Sequence, residues 1–90
     1  MEEECAKNLF NNPIKIEILQ SCVIKILTKV EMFDMNRKII LRYNHRKVGY
    51  LLSRVPIEEI KIIRYWIGPF GIKTELTYKD KFIGVLLINK

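Results

Sequence analysis

Polar and apolar residues alternate most cleanly between Ile72 and Lys79, where Ile72, Thr74, Leu76 and Tyr78 are interleaved with Lys73, Glu75, Thr77 and Lys79. A period of two places the first set on one face of a strand and the second on the other, as in an antiparallel strand with one wet side. After a turn at "KDK" (79–81), Phe82 to Ile88 is apolar at both phases, which predicts a central strand covered on both faces. Upstream, Ile60 to Ile67 predicts a further strand, and "GPFG" (68–71) the turn that follows it. On this alternation Arg64 and Trp66 share one face while Tyr65 and Ile67 share the other. The adjacent rings of Tyr65 and Trp66 therefore cannot form one platform.

Earlier in the chain, "DMNR" (34–37) separates VEMF from KIILRY and predicts a hairpin. "NHRK" (44–47) is a second turn, leading into Val48, Tyr50 and Leu52. Pro56 opens "PIEEI", a turn or a single helical turn. The segment 14–33 supports two periods. As a helix it has Asn12 as N-cap and Pro13 in the first position, with Ile16, Leu19, Val23, Ile26, Leu27, Val30 and Phe33 on one face. As a strand it sets its even-numbered isoleucines, with Cys22, Val30 and Met32, against Lys15, Glu17, Ser21, Lys25, Lys29 and Glu31. The many β-branched residues favour a strand from about Ser21 to Phe33 and leave 13–20 open between the two. Residues 2–11 predict a short helix with its acids in the first turn.

The expected fold class is mainly β, with α+β as the variant. Six to seven short antiparallel strands run as a meander that curls into a small barrel, roll or sandwich, preceded by a short N-terminal helix. The 90 residues make one domain, with 1–12 a helix or flexible arm and 13–90 the antiparallel β core. No internal repeat, low-complexity tract or linker is expected. A core this small is marginal, and a homodimer would bury more surface.

Cys5 and Cys22 are the only cysteines. The N-terminus is acidic where a secretory leader would be basic, so two free thiols in a cytoplasmic protein are expected. The longest apolar run, Ile83 to Ile88, is far too short to span a bilayer. The net charge of +6 is uneven: Glu2, Glu3 and Glu4 are bunched at the start, while Arg37, Lys38, Arg42, Arg46 and Lys47 are bunched in "RKIILRYNHRK" with no acid among them. Such a patch suits nucleic acid, a phospholipid headgroup or an acidic protein. The plainer reading is that these cations solubilise the polar face of an isoleucine-rich sheet and block its edges.

Residues that carry chemistry are sparse. His45 is the single histidine and sits in a basic turn. Asp34 and Asp80 both fall in predicted turns, and Glu58 and Glu59 are adjacent, so they diverge on a strand or a helical turn. Ser21 and Ser53 lie in no nucleophile motif, and the glycines match neither a phosphate loop nor a dinucleotide fingerprint. No catalytic residue, metal site, cofactor or small-molecule substrate is expected, and the chain is read as non-enzymatic.

What remains is recognition. Lys38 and Arg42 face outward if Ile39, Leu41 and Tyr43 face inward, with Arg46 and Lys47 crowning the turn. Such a row can track a phosphate backbone while Tyr43 or Tyr50 stacks a base. The second patch is Arg64, Trp66 and Phe70, with Phe70 at the tip of the GPFG turn, where an exposed ring can anchor a protein partner. A Phe70 folded back over an open barrel end is the structural counterpart.

The order of elements from Phe33 to Ile88, with basic strands ahead of the Pro56-Ile57-Glu58-Glu59-Ile60 step, then a strand, a glycine turn and two more strands, resembles bacterial pleckstrin-homology-like and GRAM-type β domains. Those domains close one barrel end with a C-terminal helix, which has no counterpart after Ile88 here. The resemblance implies a non-catalytic scaffold that binds proteins or, less often, acidic lipid headgroups. The leading expectation is a small intracellular module for protein–protein interaction or assembly, by itself or as an accessory of a phage or mobile element. A nucleic-acid-binding module using 37–47 and a lipid-headgroup binder are the alternatives.

Overall fold

The computed structural model describes Cys5 and residues 14–89. Among residues 14–89 a helix, α1 (Ile16–Leu27), is followed by β1 (Glu31–Met35), β2 (Lys38–Tyr43) and β3 (Arg46–Leu51), a 3-10 turn (Ile57–Glu59), and β4 (Lys61–Gly68), β5 (Gly71–Tyr78) and β6 (Lys81–Asn89). The fold is mainly β: all six strands join one antiparallel sheet. The predicted N-terminal helix over 1–12 lies outside the described residues except at Cys5.

The expected strand from Ser21 to Phe33 is a helix as far as Leu27, and strand begins only at Glu31. The helical phase prevails because it gathers Leu19, Cys22, Val23, Ile26 and Leu27 onto one buried stripe. Each β-branched residue costs a helix only about 0.5 kcal/mol, whereas fully burying a Leu, Ile or Val contributes about 1.5–3 kcal/mol. Gln20, beside that stripe, ties the helix to the sheet. Its Nε2 donates to the Ile60 carbonyl, and its Oε1 accepts from the Ile62 N–H at 2.9 Å. One side-chain amide thus stands in for a neighbouring strand at the start of β4. Gln20→Ala leaves both part-buried backbone groups without that partner and is expected to destabilise the protein by about 1–3 kcal/mol in urea titrations. An unchanged midpoint would show the amide to be dispensable.

Three hairpins turn on two residues with left-handed backbone: Asn36–Arg37, Asn44–His45 and Lys79–Asp80, with φ between 47° and 67°. This is the type I′ arrangement, whose twist matches that of the flanking strands. Pro69–Phe70 cannot adopt it, because the proline ring holds φ near −65°. Gly71, at φ 153°, carries the unusual angle there instead.

The strand order is β1-β2-β3-β6-β5-β4. The sheet is therefore not the single meander expected from sequence. It is two three-stranded meanders joined edge to edge, with β3 pairing β6 rather than β4. The segment 52–60, including the 3-10 turn, carries the chain from β3 to the far edge.

The two meanders also repeat in sequence, contrary to the expectation of no internal repeat. "LRYNHRKVGYLL" (41–52) aligns with "LTYKDKFIGVLL" (76–87), with Leu41/Leu76, Tyr43/Tyr78, Gly49/Gly84, Leu51/Leu86 and Leu52/Leu87 identical. The register obeys the same offset. Val48 and Ile83 are each the extra residue of a bulge, both are buried, and a glycine follows each. Across the seam Gly49 faces Leu86, Tyr50 faces Val85 and Leu51 faces Gly84. Exchanging the two copies maps this set of pairs onto itself, so the seam has a pseudo-two-fold axis at the Tyr50–Val85 pair.

The core lies between α1 and one face of the sheet. Cross-strand rows on that face run Ile39–Leu51–Gly84–Leu76–Ile62 and Leu41–Gly49–Leu86–Thr74–Tyr65. The one buried hydroxyl in these rows, that of Thr74, donates to the Leu86 carbonyl at 2.8 Å. Cys5 and Cys22 lie at the helix side of the core and form a disulfide, with Cα atoms 5.7 Å apart. The expectation of two free thiols is thus corrected: the pairing is set by where the helix puts Cys22, which a strand reading of that segment could not show. No helix of the described residues is long and apolar enough to cross a membrane.

Candidate functional site

The opposite face of the sheet faces away from α1. One unbroken cross-strand row crosses all six strands there: Phe33–Ile40–Tyr50–Val85–Glu75–Arg64. Lys38 and Arg42 flank Ile40 on β2, and Lys47 lies directly opposite Arg42 on β3. At the other side Leu87, Lys73 and Trp66 form a second short row. This outer face combines rings and cations, and the two are in contact. Lys38 Nζ lies 4.7 Å from the Tyr50 ring centre, the Arg42 guanidinium 5.9 Å from that of Phe33, and Lys73 Nζ 5.8 Å from that of Trp66.

The five cations of the basic segment do not all share this face. Lys38, Arg42 and Lys47 do. Arg37 sits in the β1–β2 turn at one end of β2, and Arg46, opposite Tyr43, stands at the other end beside the Asn44–His45 turn. All five are exposed. None of them forms an ion pair among the described residues, where Arg54–Asp34 (3.1 Å) and Arg64–Glu75 (3.6 Å) are the pairs present. Arg37 and Lys38 do line an open groove of about 440 Å³ between the β1–β2 turn and residues 52–54, together with Asn36, Ser53 and the paired Asp34 and Arg54.

Arg64, Trp66 and Phe70 form the second candidate region. Alternation placed Arg64 and Trp66 on one face and Tyr65 and Ile67 on the other, and the register agrees: Arg64 faces Glu75, Trp66 faces Lys73, Tyr65 faces the buried Thr74 and Ile67 faces the buried Ile72. Trp66 is exposed and Tyr65 half-buried. Phe70 projects from the Pro69–Phe70 turn, 80% exposed, rather than folding back over the core. These side chains stand on or beside β4, which is an edge strand. Of its eight residues only Ile62 and Tyr65 are even half-buried, and Ile63 and Ile67 are 60% and 63% exposed. Past the two groups held by Gln20, the outward backbone of β4 has no partner strand among the described residues.

The opposite edge differs. β1 has five residues, carries Glu31 and Asp34, and has Arg54 bonded across to Asp34. Short length and charge are how sheets blunt an edge against pairing. β4 is longer, and its Lys61, Arg64 and the bulge at Ile63 all lie in its first half, so Tyr65 to Gly68 carries no charge and no bulge.

Two members of the outer face were not singled out by sequence reasoning. Phe33 falls in the segment that supports two periods, and Lys73 reads from alternation only as part of a wet strand face. For Lys73 the signal existed: a two-residue turn at Pro69–Phe70 fixes Trp66 opposite Lys73. For Phe33 the Asn36–Arg37 turn is the same kind of signal, setting it opposite Ile40, but it decides the face only once α1 is known to end before Glu31. No protein-family model, curated protein or solved structure matches the chain.

Proposed function

We propose that the chain is a non-enzymatic assembly module that takes a strand at the free edge of β4, the incoming strand being β4 of a second copy. The exposed edge from Arg64 to Gly68, beyond the Ile63 bulge and apolar after Arg64, carries this reading. An edge of this kind presents unpaired N–H and C=O groups and apolar side chains together, which is what strand addition uses. The sequence of β4 is also self-complementary in an antiparallel pairing centred on Tyr65. That register sets Arg64 of each copy against Trp66 of the other, a cation–ring pair, and keeps the two Arg64 side chains from facing each other. Phe70 and Ile67 flank the pairing and supply further apolar area.

Light scattering on a size-exclusion column, over a range of protein concentrations, tests the proposal. The unmodified chain is expected to run as a dimer. Ile67→Lys is expected to shift it to monomer while leaving thermal stability of the monomer within about 0.5 kcal/mol, as for an exposed surface substitution. Phe70→Ala is expected to weaken the dimer without unfolding the chain. A monomer of the unmodified protein at every concentration overturns the reading, and so does a dimer indifferent to Ile67→Lys.

A further inference from the structure

We propose that the outer face of the sheet binds single-stranded nucleic acid, with Tyr50 and Phe33 as stacking platforms and Lys38, Arg42 and Lys47 as phosphate contacts. This site is independent of the β4 edge, since its residues lie on β1, β2 and β3.

Three observations converge on it. The first is charge placement. Arg42 and Lys47 are directly opposite each other on adjacent strands, an arrangement that costs stability when no anion lies between them. Glu31 faces Arg42 from β1, yet no ion pair forms between them. Instead the guanidinium lies over Phe33. Solubility alone would be served by cations of any spacing. A like-charged pair on a ring-bearing face matches a polyanion.

The second is the pairing of each ring with a cation. Tyr50 carries Lys38 and Phe33 carries Arg42. Both cations are exposed, so each can swing from the ring to a phosphate as a base takes its place on the ring. Base–aromatic stacking and a cationic track are the two elements of sequence-tolerant single-strand binding.

The third is the setting. Phe33, Ile40, Tyr50 and Val85 are consecutive partners in one row, so the rings lie two strands apart, about 10 Å, on a surface that bases can approach only when unstacked. A duplex hides its base faces and cannot use the rings. Arg37, in the groove at the end of β2 nearest Lys38, extends the cationic path beyond the sheet, whereas Arg54 in the same groove is paired with Asp34.

The test is fluorescence anisotropy of a labelled oligothymidine and a labelled oligouridine of about 20 nucleotides, titrated with the full chain. Binding is expected at 50 mM salt. With about four phosphate contacts, from Lys38, Arg42, Lys47 and Arg37, the single-strand salt slope is near −2.8, so affinity should fall about 50-fold between 50 and 200 mM. Lys38→Gln with Arg42→Gln should weaken binding at least tenfold and flatten that slope. Tyr50→Leu, which keeps an apolar side chain in the row, should weaken it about 5- to 150-fold with the slope unchanged. If Tyr50→Leu proves unstable by circular dichroism, Phe33→Leu and the charge variants carry the test. No binding at 50 mM salt overturns the proposal. So does equal affinity for a duplex of the same length, or binding that ignores every one of these variants. Retention on phosphatidylserine vesicles without any oligonucleotide binding would assign the cations to a lipid surface and overturn it as well. A monomeric chain that still binds the oligonucleotide would dismiss the β4 pairing and leave this site intact.

Discussion

Gly84→Ala is expected to destabilise the protein by about 2–4 kcal/mol, against the usual direction of that change. In a strand, replacing glycine by alanine ordinarily helps, because glycine loses more backbone entropy on folding. At Gly84 a Cβ would clash with the Tyr50 carbonyl oxygen and lie 3.0 Å from the Cα of Leu51. The obstacle is backbone of β3, which cannot rotate away as a side chain can. The φ of 159° adds to the strain on any residue with a side chain. Gly49 stands in the equivalent place in the other meander, where a Cβ would meet the Val85 carbonyl oxygen and lie 3.0 Å from the Cα of Leu86. Because the seam rests on only three residue pairs, Gly49→Ala should cost a similar amount. Gly68 is the control: a Cβ there meets nothing nearer than the Gly71 carbonyl oxygen at 3.7 Å, so Gly68→Ala should be neutral or mildly stabilising. Urea midpoints for the three variants decide the matter. Equal, small effects at all three would mean that β3 and β6 separate without difficulty, and the close seam would not exist.

The same glycines explain why the strands were readable from sequence and their order was not. Alternation, turn residues and hydrophobic runs are local, and they located β2 to β6 to within a residue or two. Strand order depends on which edges meet, and the β3–β6 contact is carried by two glycines whose role is to be small. A glycine within "KVGYLL" reads locally as a weak point in a strand. Only when it is laid over "FIGVLL" does it become half of a repeated device, bulge then glycine, that lets two backbones approach. The repeat itself was hidden because its most similar positions are apolar or glycine, while the intervening residues, such as Asn44-His45 against Lys79-Asp80, differ in chemistry and agree only in backbone conformation.

The candidate surfaces were legible to different degrees for the same reason. Arg64, Trp66 and Phe70 sit on one hairpin, so alternation and a two-residue turn were enough to place them. Lys38 and Arg42 lie on one strand, and their common face followed from Ile39 and Leu41. The assembly of Phe33, Tyr50, Lys38, Arg42 and Lys47 into one ring-and-cation surface needed three strands in register. It also needed the end of α1, which the β-branched composition of 14–33 obscured. The helix and strand readings of that segment shared most of their apolar residues. What separated them was tertiary: the stripe of Leu19, Val23, Ile26 and Leu27 has a sheet face to cover, and Gln20 has the first backbone groups of β4 to hold.

Reducing the Cys5–Cys22 disulfide is expected to lower stability by about 3 kcal/mol, the loop-closure contribution for a sequence separation of 17. For a domain of this size that corresponds to a fall of roughly 12–24 °C in melting temperature. Both cysteines are buried, and a reduced cysteine packs as a small apolar side chain. The reduced chain should therefore still fold, and the loss should report the constraint on the unfolded chain rather than a cavity in the folded one. Burial also predicts that a reductant added to the native protein acts slowly, and quickly once urea opens the core. The comparison to make is thermal melting of the oxidised chain, of the chain reduced in urea and refolded in reductant, and of Cys22→Ala with and without reductant. The variant should melt near the reduced chain and ignore the reductant. Thiol titration in urea without reductant should find no reactive thiol in the oxidised chain. Two titratable thiols, with melting indifferent to reductant, would restore the free-thiol reading suggested by the acidic N-terminus. A cystine instead fits surroundings that keep it oxidised, and it ties Cys5 to α1 within the buried core.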